Sequence, residues 1–315
     1  MSGGGTVLSA DVLVGATACG KSAVALVLAT KSRPPRPLLA ADSMTVYRGM
    51  DAGTAKPDAA DRALVPHEGL DLAEPSREFS VGDYLAAVRA RADVLSKGPM
   101  PIVVGGTGLY VKCLTEGLDS APPSSPEHRA AAEALLAAEG LQALQEALKR
   151  LSPEQYARVR DPENPRRVVR AYELVAGGHE IPVAAERPRP FLVGLLREPE
   201  DLAARIARRA RRMFADGLPE EVRSLRAMPG GLSETARHAI GYEEAGKLLD
   251  GEMTEEEAIE STIQRTRRYA KRQMTWFRHQ ANVDWVEVAP GDSPEKTAGL
   301  VQRLWNRHGP VALRP

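Results

Sequence analysis

Aromatic side chains make up only 4% of the 315 residues, cysteine occurs twice, and neither sign of charge is in excess, with 42 basic and 42 acidic residues. The zero net charge excludes a globally basic nucleic-acid binder and an acidic tail, so any basic surface must be local. Cys19 and Cys113, with six scattered histidines, offer neither a disulfide framework nor a zinc-ligand spacing, which fits a reducing cytoplasm. Long apolar runs are also missing: segments such as Asp11-Val-Leu-Val-Gly-Ala16 and Phe191–Leu196 fall far short of the roughly 20 residues a membrane span needs. The start, Met1-Ser-Gly-Gly-Gly-Thr-Val7, has no basic region leading into an apolar segment, so no signal peptide is expected. Lysine is scarce, nine of the 42 basic residues, and the arginine excess suits either phosphate recognition or the codon bias of a GC-rich genome.

What is present is an alternation of short apolar runs, bounded by Gly, Asp or Pro, with helical patterns, which predicts a parallel sheet covered by helices. The expected strands are Val12–Gly15, Leu38–Ala41, Ile102–Val104, Phe191–Leu196 and Val283–Val288. More than 80 residues separate the third from the fourth, too many for one crossover, so an inserted lobe is expected. Proline-rich stretches fence it, Ala121-Pro-Pro-Ser-Ser-Pro126 before and Glu186-Arg-Pro-Arg-Pro190 after. Inside, the Ala/Leu/Glu-rich 127–149 and the capping signal Ser152-Pro-Glu-Gln155 predict helices. Asp201–Phe214 and Thr254–Arg278 read as long helices, the second opening with the capping box Thr254-Glu-Glu-Glu257.

Gly15-Ala-Thr-Ala-Cys-Gly20-Lys21-Ser22 is a complete G-x4-G-K-S phosphate loop between an expected strand and an expected helix. In such a loop successive backbone N–H groups point inward at an anion, Lys21 holds the terminal phosphate, and the Ser22 hydroxyl is offered to Mg2+. Neither N-K-x-D nor D-x-x-G occurs, and no strand ends in the Asp-Glu of a hydrolytic ATPase. The second strand instead leads into Asp42-Ser-Met-Thr-Val-Tyr-Arg-Gly-Met-Asp51 and the third into Gly105-Gly-Thr-Gly-Leu-Tyr110. Ligands of open α/β sheets bind outside the carboxyl ends of the strands, so the loop, Asp42 and Thr107 are expected to share one crevice. Two plainer roles stay open here: Asp42 as a helix N-cap, and the glycine cluster as a simple strand-to-helix turn.

These motifs, followed by Gly53-Thr-Ala-Lys-Pro57, Val65-Pro-His67, Asn164-Pro-Arg-Arg-Val-Val-Arg170, Ala239-Ile-Gly-Tyr242 and Lys271-Arg-Gln-Met-Thr-Trp-Phe-Arg278, occur in an order that resembles the bacterial tRNA dimethylallyltransferase family over nearly the whole chain. The resemblance implies an α/β fold, a P-loop NTPase-like parallel sheet with helices on both faces. That catalytic core would be discontinuous, 1–120 and 191–315, with 121–190 as an inserted helical tRNA-binding domain. It also implies transfer of a dimethylallyl group from dimethylallyl diphosphate to the N6 amine of the adenosine 3′ of the anticodon (tRNA position 37), with Mg2+, by a cytoplasmic monomer. Four positions depart from the family pattern: Ala16, Cys19, Thr45 and Glu68.

By that resemblance Asp42, Thr107 and Arg209 are catalytic. The diphosphate falls to Gly15, Thr17, Ala18, Cys19, Gly20, Lys21, Ser22 and Arg205, with Ser22 on the metal. The tRNA set is Asp42, Ser43, Met44, Thr45, Thr107, Arg129, Arg166, Arg167, Arg170, Arg237, Lys271, Arg272 and Arg278. Chemically, an adenine amine is a weak nucleophile that needs a nearby carboxylate to take its proton, which suits Asp42. Charge growing on departing diphosphate needs a cradle of N–H groups and cations. Arg205 and Arg209, spaced i and i+4, share one helix face. The run 264–278 carries Arg265, Arg267, Arg268, Lys271, Arg272 and Arg278 without an acid, and reads as RNA contact, whereas Tyr269, Trp276 and Phe277 read as core. An adenylate dimethylallyltransferase, a small-molecule kinase and a nucleotide-binding module without chemistry are the competing readings.

Overall fold

A computed structural model describes residues 8–118, 122, 125–183 and 187–315. The segment Met1–Val7 and parts of both proline-rich fences (121, 123–124 and 186) lie outside the described residues. The chain divides into two compact units, Met1–Leu118 with Pro188–Pro315, and Asp119–Arg187.

In the first unit the chain runs β1 (Ser9–Gly15), α1 (Lys21–Thr30), β2 (Leu38–Ala41), α2 (Ala59–Leu64), β3 (His67–Glu68), α3 (Val81–Lys97), β4 (Ile102–Gly105) and α4 (Gly108–Glu116). The second unit contains α5 (Pro126–Leu151), α6 (Pro153–Ala157) and α7 (Pro165–Ala176). The first then resumes with β5 (Phe191–Arg197), α8 (Pro199–Ala215), α9 (Leu218–Arg226), α10 (Glu234–Arg237), α11 (Tyr242–Leu249) and α12 (Glu255–Gln280). It ends in β6 (Asn282–Val288), α13 (Pro294–His308) and β7 (Val311–Ala312).

Six strands form a parallel sheet in the order β3-β2-β4-β1-β5-β6, and β7 adds antiparallel to β1. β1 is buried along nearly its whole length, as befits a central parallel strand covered on both faces. One face packs on α1 and α13 through Val24, Leu28, Val301 and Trp305. The other packs on α3, α4, α8 and α12 through residues including Tyr84, Val111, Ile206 and Phe277. The register pairs Val14 with Gly105 and Ala41 with Gly105, so the carboxyl ends of β1, β4 and β2 stand side by side. β5 flanks β1 on its other edge, pairing Gly15 with Leu195.

All five expected strands are present. β3 and β7 were not anticipated: each has two residues, too few for a period, and each exists because a neighbouring strand supplies its hydrogen bonds. α12 opens with the expected capping box, in which Glu257 N donates to Thr254 Oγ1 at 3.3 Å and Thr254 N to Glu257 Oε2 at 2.8 Å. The expected helix over 127–149 is interrupted, because Gly140 takes φ 83°, a left-handed value that stops the turn. The second unit has its own core of Ala132, Leu144, Leu148, Val168, Val169 and Ala171. No helix of the described residues is long and apolar enough to cross a membrane.

Candidate active site

The β1-to-α1 loop wraps tightly. Gly15 (φ 145°) and Gly20 (φ 104°) hold backbone angles suited to glycine, and Ala18 adopts φ 62°, a left-handed value that costs an alanine roughly 1–2 kcal/mol. Arginines from outside the loop hold it in that shape. Arg205 Nε donates to Ala18 O at 2.8 Å, and Arg197 Nε, at the end of β5, donates to Cys19 O at 2.7 Å. Arg197 is itself aligned by Asp201 at 2.6 Å. Lys21 Nζ donates to Gly15 O at 2.9 Å and Ala16 O at 2.7 Å, which places the ammonium against the loop. Lys21 and Ser22 open α1, whose first-turn N–H groups have no intrahelical acceptor and carry the positive helix end. Cys19 is buried in this loop.

Arg209, one turn beyond Arg205 on α8, also turns inward: Nη1 donates to Thr17 Oγ1 at 3.2 Å and Nη2 to Thr54 O at 3.0 Å. Burial pushes its pKa down, and the negative charge of Asp42 works in the opposite direction. Burial and the neighbouring Arg197 lower that of Arg205. An exposed basic face is therefore not the role of this pair. The Thr54 carbonyl belongs to a loop fixed by Glu221, which accepts from Asp51 N at 3.0 Å and Ala52 N at 2.8 Å and from the Tyr242 hydroxyl at 2.6 Å.

Asp42 follows β2 and caps no helix. Its Oδ1 accepts Met44 N–H at 2.9 Å in an Asx turn, while Thr45 Oγ1 donates to Asp42 O at 3.5 Å. Thr107 stands at the N-cap of α4 without using its side chain as a cap; its Oγ1 accepts Ser43 N–H at 3.1 Å instead. The β2 and β4 turns are thus tied to each other through Ser43 and Thr107. The glycines around Thr107 are there for close approach: a Cβ on Gly106 would meet Gln273 Nε2 at 2.5 Å, and one on Gly108 the Trp276 ring at 2.3 Å. The run is a strand-to-helix turn, but one shaped to bring α12 down onto Thr107.

From α12, Tyr269 reaches the same place. Burial and the charge of Asp42 push its phenol up to about 12, against hydrogen bonding to Thr107 and Gln273. The crevice expected from the sequence is therefore assembled: loop, Asp42, Thr107, Arg205 and Arg209 converge in the first unit. Arg197 and Gln273 were missed, and Tyr269, read from the sequence as core, stands beside the Thr107 turn. Arg197 ends a strand and so falls under the same carboxyl-end rule that picked out Asp42, whereas Gln273 sits inside a basic run and carries no motif signal.

The residues expected to meet RNA divide by their partners. Arg268, Lys271, Arg272 and Arg278 are exposed on α12, and none ion-pairs with an acid of the described residues. Arg268, Lys271 and Arg272 join Thr275, Trp276, His279 and Gln280 around a groove of about 620 Å³. Phe277 is fully buried, as expected of core, but Trp276 is only half-buried and lies on the backbone of Gly108. Arg265 departs from its helix-mates: Glu243 at 2.8 Å and Glu244 at 2.7 Å hold it, acids supplied by α11 that the local sequence of α12 does not reveal. Arg237 pairs with Glu234 at 2.6 Å. Within the second unit, Arg166 is exposed, Arg129 pairs with Glu133 at 2.9 Å, and Arg167 lies 3.9 Å from Asp161. Arg170 binds the buried carboxylate of Glu173 and the carbonyl of Pro122, both at 2.5 Å, which makes it part of that unit's framework. Glu68, one of the departures from the family pattern, is taken by Arg91 at 2.7 Å.

A parallel α/β sheet whose phosphate loop lies beside a carboxylate and a threonine on the neighbouring strand ends defines the class: an α/β protein with a P-loop-like core. The particular family follows from comparison with known proteins. A family model described as IPP transferase matches residues 45–280. The chain is 44% identical over 300 residues to the tRNA dimethylallyltransferase of Anaeromyxobacter dehalogenans, covering 93% of this chain and 98% of that protein. It is also 44% identical over 278 residues to that of Thermus thermophilus, covering 85% and 89%. Among solved structures, the full-length tRNA isopentenylpyrophosphate transferase of Bacillus halodurans aligns with TM-score 0.67 at 35% identity, covering 96% of this chain and 97% of that one. A eukaryotic dimethylallyltransferase acting on tRNA shares the fold at TM-score 0.73 and 22% identity, over 94% and 77%. The chain belongs to the IPP transferase family.

Proposed function

We propose that this protein transfers a dimethylallyl group from dimethylallyl diphosphate to the N6 amine of the tRNA adenosine just 3′ of the anticodon, releasing diphosphate. The observation that carries this reading is the facing of an arginine-braced phosphate loop and Asp42 in one crevice, in a chain of this family, with no hydrolytic or guanine-reading signature beside the loop.

Asp42 accepts the amine proton as the new carbon–nitrogen bond forms, its Oδ1 held by Met44 N–H. As the allylic carbon–oxygen bond breaks, the electron pair goes to the diphosphate, where Lys21, the helix N–H groups, Arg205 and Arg209 stabilise it. Thr107 is placed by Ser43 so that its hydroxyl donates a hydrogen bond to the departing oxygen and keeps its proton. Mg2+ fits this site, because the exposed Ser22 hydroxyl at the head of α1 is a hard oxygen donor and diphosphate oxygens would supply the rest. When bound, the ion neutralises charge on the diphosphate. Among the described residues no cluster of three or more His, Cys, Asp or Glu forms a protein-only metal cage, in keeping with an ion held largely by its substrate.

The acceptor base must leave its stack to enter the crevice, a cost of a few kcal/mol that contacts to the RNA backbone offset. The open groove on α12, basic and floored by Trp276 beside the Thr107 turn, suits an RNA strand leading to that crevice. Arg166 and Arg167 give the second unit a basic face for the anticodon arm, and the protein works as a monomer in the cytoplasm. The test is incubation of purified protein with unmodified tRNA, dimethylallyl diphosphate and Mg2+, followed by digestion and mass analysis of nucleosides. One prenyl group on adenosine is expected; modification of AMP but not tRNA, or ATP turnover without a prenyl donor, overturns the reading.

A further inference from the structure

Gln273 is a buried polar side chain in the middle of α12, and it touches two loops that are far away in sequence. Its Oε1 accepts the Thr17 N–H of the phosphate loop at 2.8 Å, and its Nε2 donates to the Gly106 carbonyl, beside Thr107, at 2.8 Å. The amide orientation is forced, since a backbone N–H can only donate and a carbonyl can only accept. A primary amide is also the neutral side-chain group that offers both functions side by side at this reach. Space has been cleared for it: a Cβ on Gly106 would come within 2.5 Å of Nε2. The Thr17 amide is thereby spent on α12 and is not one of the N–H groups available to an anion.

We propose that Gln273 is a positioning residue that clamps the phosphate loop to the Thr107 turn and so sets the distance between the bound diphosphate and the groups facing it. The inference rests on the transferase reading for its rate consequences. The physical reason is that the loop hangs from β1 and the turn from β4, and beyond the strand ends no ladder hydrogen bond fixes their separation. Misplacement by about 1 Å at a reacting centre costs up to about 100-fold in rate. Without the clamp, the half-buried Thr17 N–H and the buried Gly106 C=O need other partners, so the loops re-space to find them.

Three variants test the clamp. Gln273→Met keeps the side-chain length and loses both hydrogen bonds. Its kcat for tRNA should fall about 10- to 100-fold, with the Kd for tRNA within about two-fold and inorganic diphosphate binding, followed by calorimetry, weakened about 2- to 12-fold. Gln273→Glu keeps the acceptor for Thr17 but places a carboxylate oxygen against the Gly106 carbonyl, so only its protonated form can donate there. The ratio of its kcat to that of the unsubstituted protein should therefore rise as pH falls, while the ratio for Gln273→Met stays flat. Gly106→Ala pushes the amide away from the other side, and adding Gln273→Met to it should cost little more. A Gln273→Met protein that folds and keeps both kcat and diphosphate affinity overturns the clamp. If that variant does not fold, a pH-independent ratio for Gln273→Glu or full additivity with Gly106→Ala overturns it equally. Absence of transfer by the unsubstituted protein would instead sink the transferase reading, and the diphosphate titrations then decide the clamp alone.

Discussion

Arg209 reaches the phosphate loop through Thr17, its Nη1 donating to the threonine hydroxyl at 3.2 Å while Nη2 holds the Thr54 carbonyl at 3.0 Å. One planar guanidinium thus spans the phosphate loop and the Gly53-Thr-Ala-Lys segment, something an ammonium on a flexible stem cannot do with the same geometry. Arg209→Lys should retain the charge and lose the bridge. A hydrogen bond to a charged group is worth about 1.5–3 kcal/mol, so kcat/KM for dimethylallyl diphosphate should drop about 10- to 150-fold in steady-state assays. Unchanged kinetics would leave Arg209 with no role in the reaction.

Asp42→Asn should leave donor and tRNA affinity intact and slow single-turnover transfer by about 10²–10⁴, the usual range for a general base. The Asx turn survives the change, because the Asn Oδ1 still accepts Met44 N–H. A near-normal single-turnover rate would reduce Asp42 to that turn-forming role.

Lys21→Ala removes the ammonium that lies on the Gly15 and Ala16 carbonyls. Dimethylallyl diphosphate should bind about 10- to 150-fold more weakly by equilibrium titration. Binding of tRNA should be unaffected. Equal donor affinity in the variant would contradict the assignment of Lys21 to the diphosphate.

These residues were legible in the sequence to different depths, for physical reasons. The phosphate loop, Asp42 and Thr107 announce themselves because each follows a buried apolar strand, and the carboxyl-end rule then brings them together without coordinates. Arg205 and Arg209 came only with the family resemblance, since i and i+4 spacing gives a shared face but not its direction. Gln273 was illegible: its partners Thr17 and Gly106 are 256 and 167 residues away, and only the packing of α12 on the strand ends selects it. Arg265 misled for the same reason, as its acids come from α11. β3 and β7 are dictated by their neighbours rather than by their own two residues.

The packing of α11 on α12 predicts an acid response. Burial alone would raise the Glu243 carboxyl, but hydrogen bonds from Lys247 and His238 and the charge of Arg265 outweigh it and hold it down to about 2, from 4.5. A depressed folded-state pKa contributes stability that is fully present above 4.5 and is lost as pH falls toward about 2. Glu243→Gln should therefore lower the melting temperature at neutral pH, by a stability of no more than about 3 kcal/mol before solvent screening reduces it. The gap between the two proteins should close through that acid window in thermal melts. A gap independent of pH would assign the effect to packing.

Salt dependence is expected to separate arginines proposed to meet RNA from those that build the protein. Arg268 and Arg272 line the α12 groove and ion-pair with no acid of the described residues, whereas Arg265, on the same helix, is spent on Glu243 and Glu244. Removing one cation that sits on a phosphate of loop or single-stranded RNA flattens the log–log salt slope of binding by roughly 0.7. Replacing Arg268 and Arg272 with Gln should thus weaken tRNA binding and reduce the slope by about 1.4, and Arg166 and Arg167 should behave alike if the second unit grips the anticodon arm. Arg265→Gln should destabilise the fold without changing the slope. Binding of dimethylallyl diphosphate without tRNA should be unaffected by the Arg268 and Arg272 changes, because the arginines that brace the phosphate loop are Arg197, Arg205 and Arg209. A slope that moves with Arg265 but not with Arg268 and Arg272 would mean that RNA approaches a different face of α12, and the groove beside Trp276 would then be no part of its path.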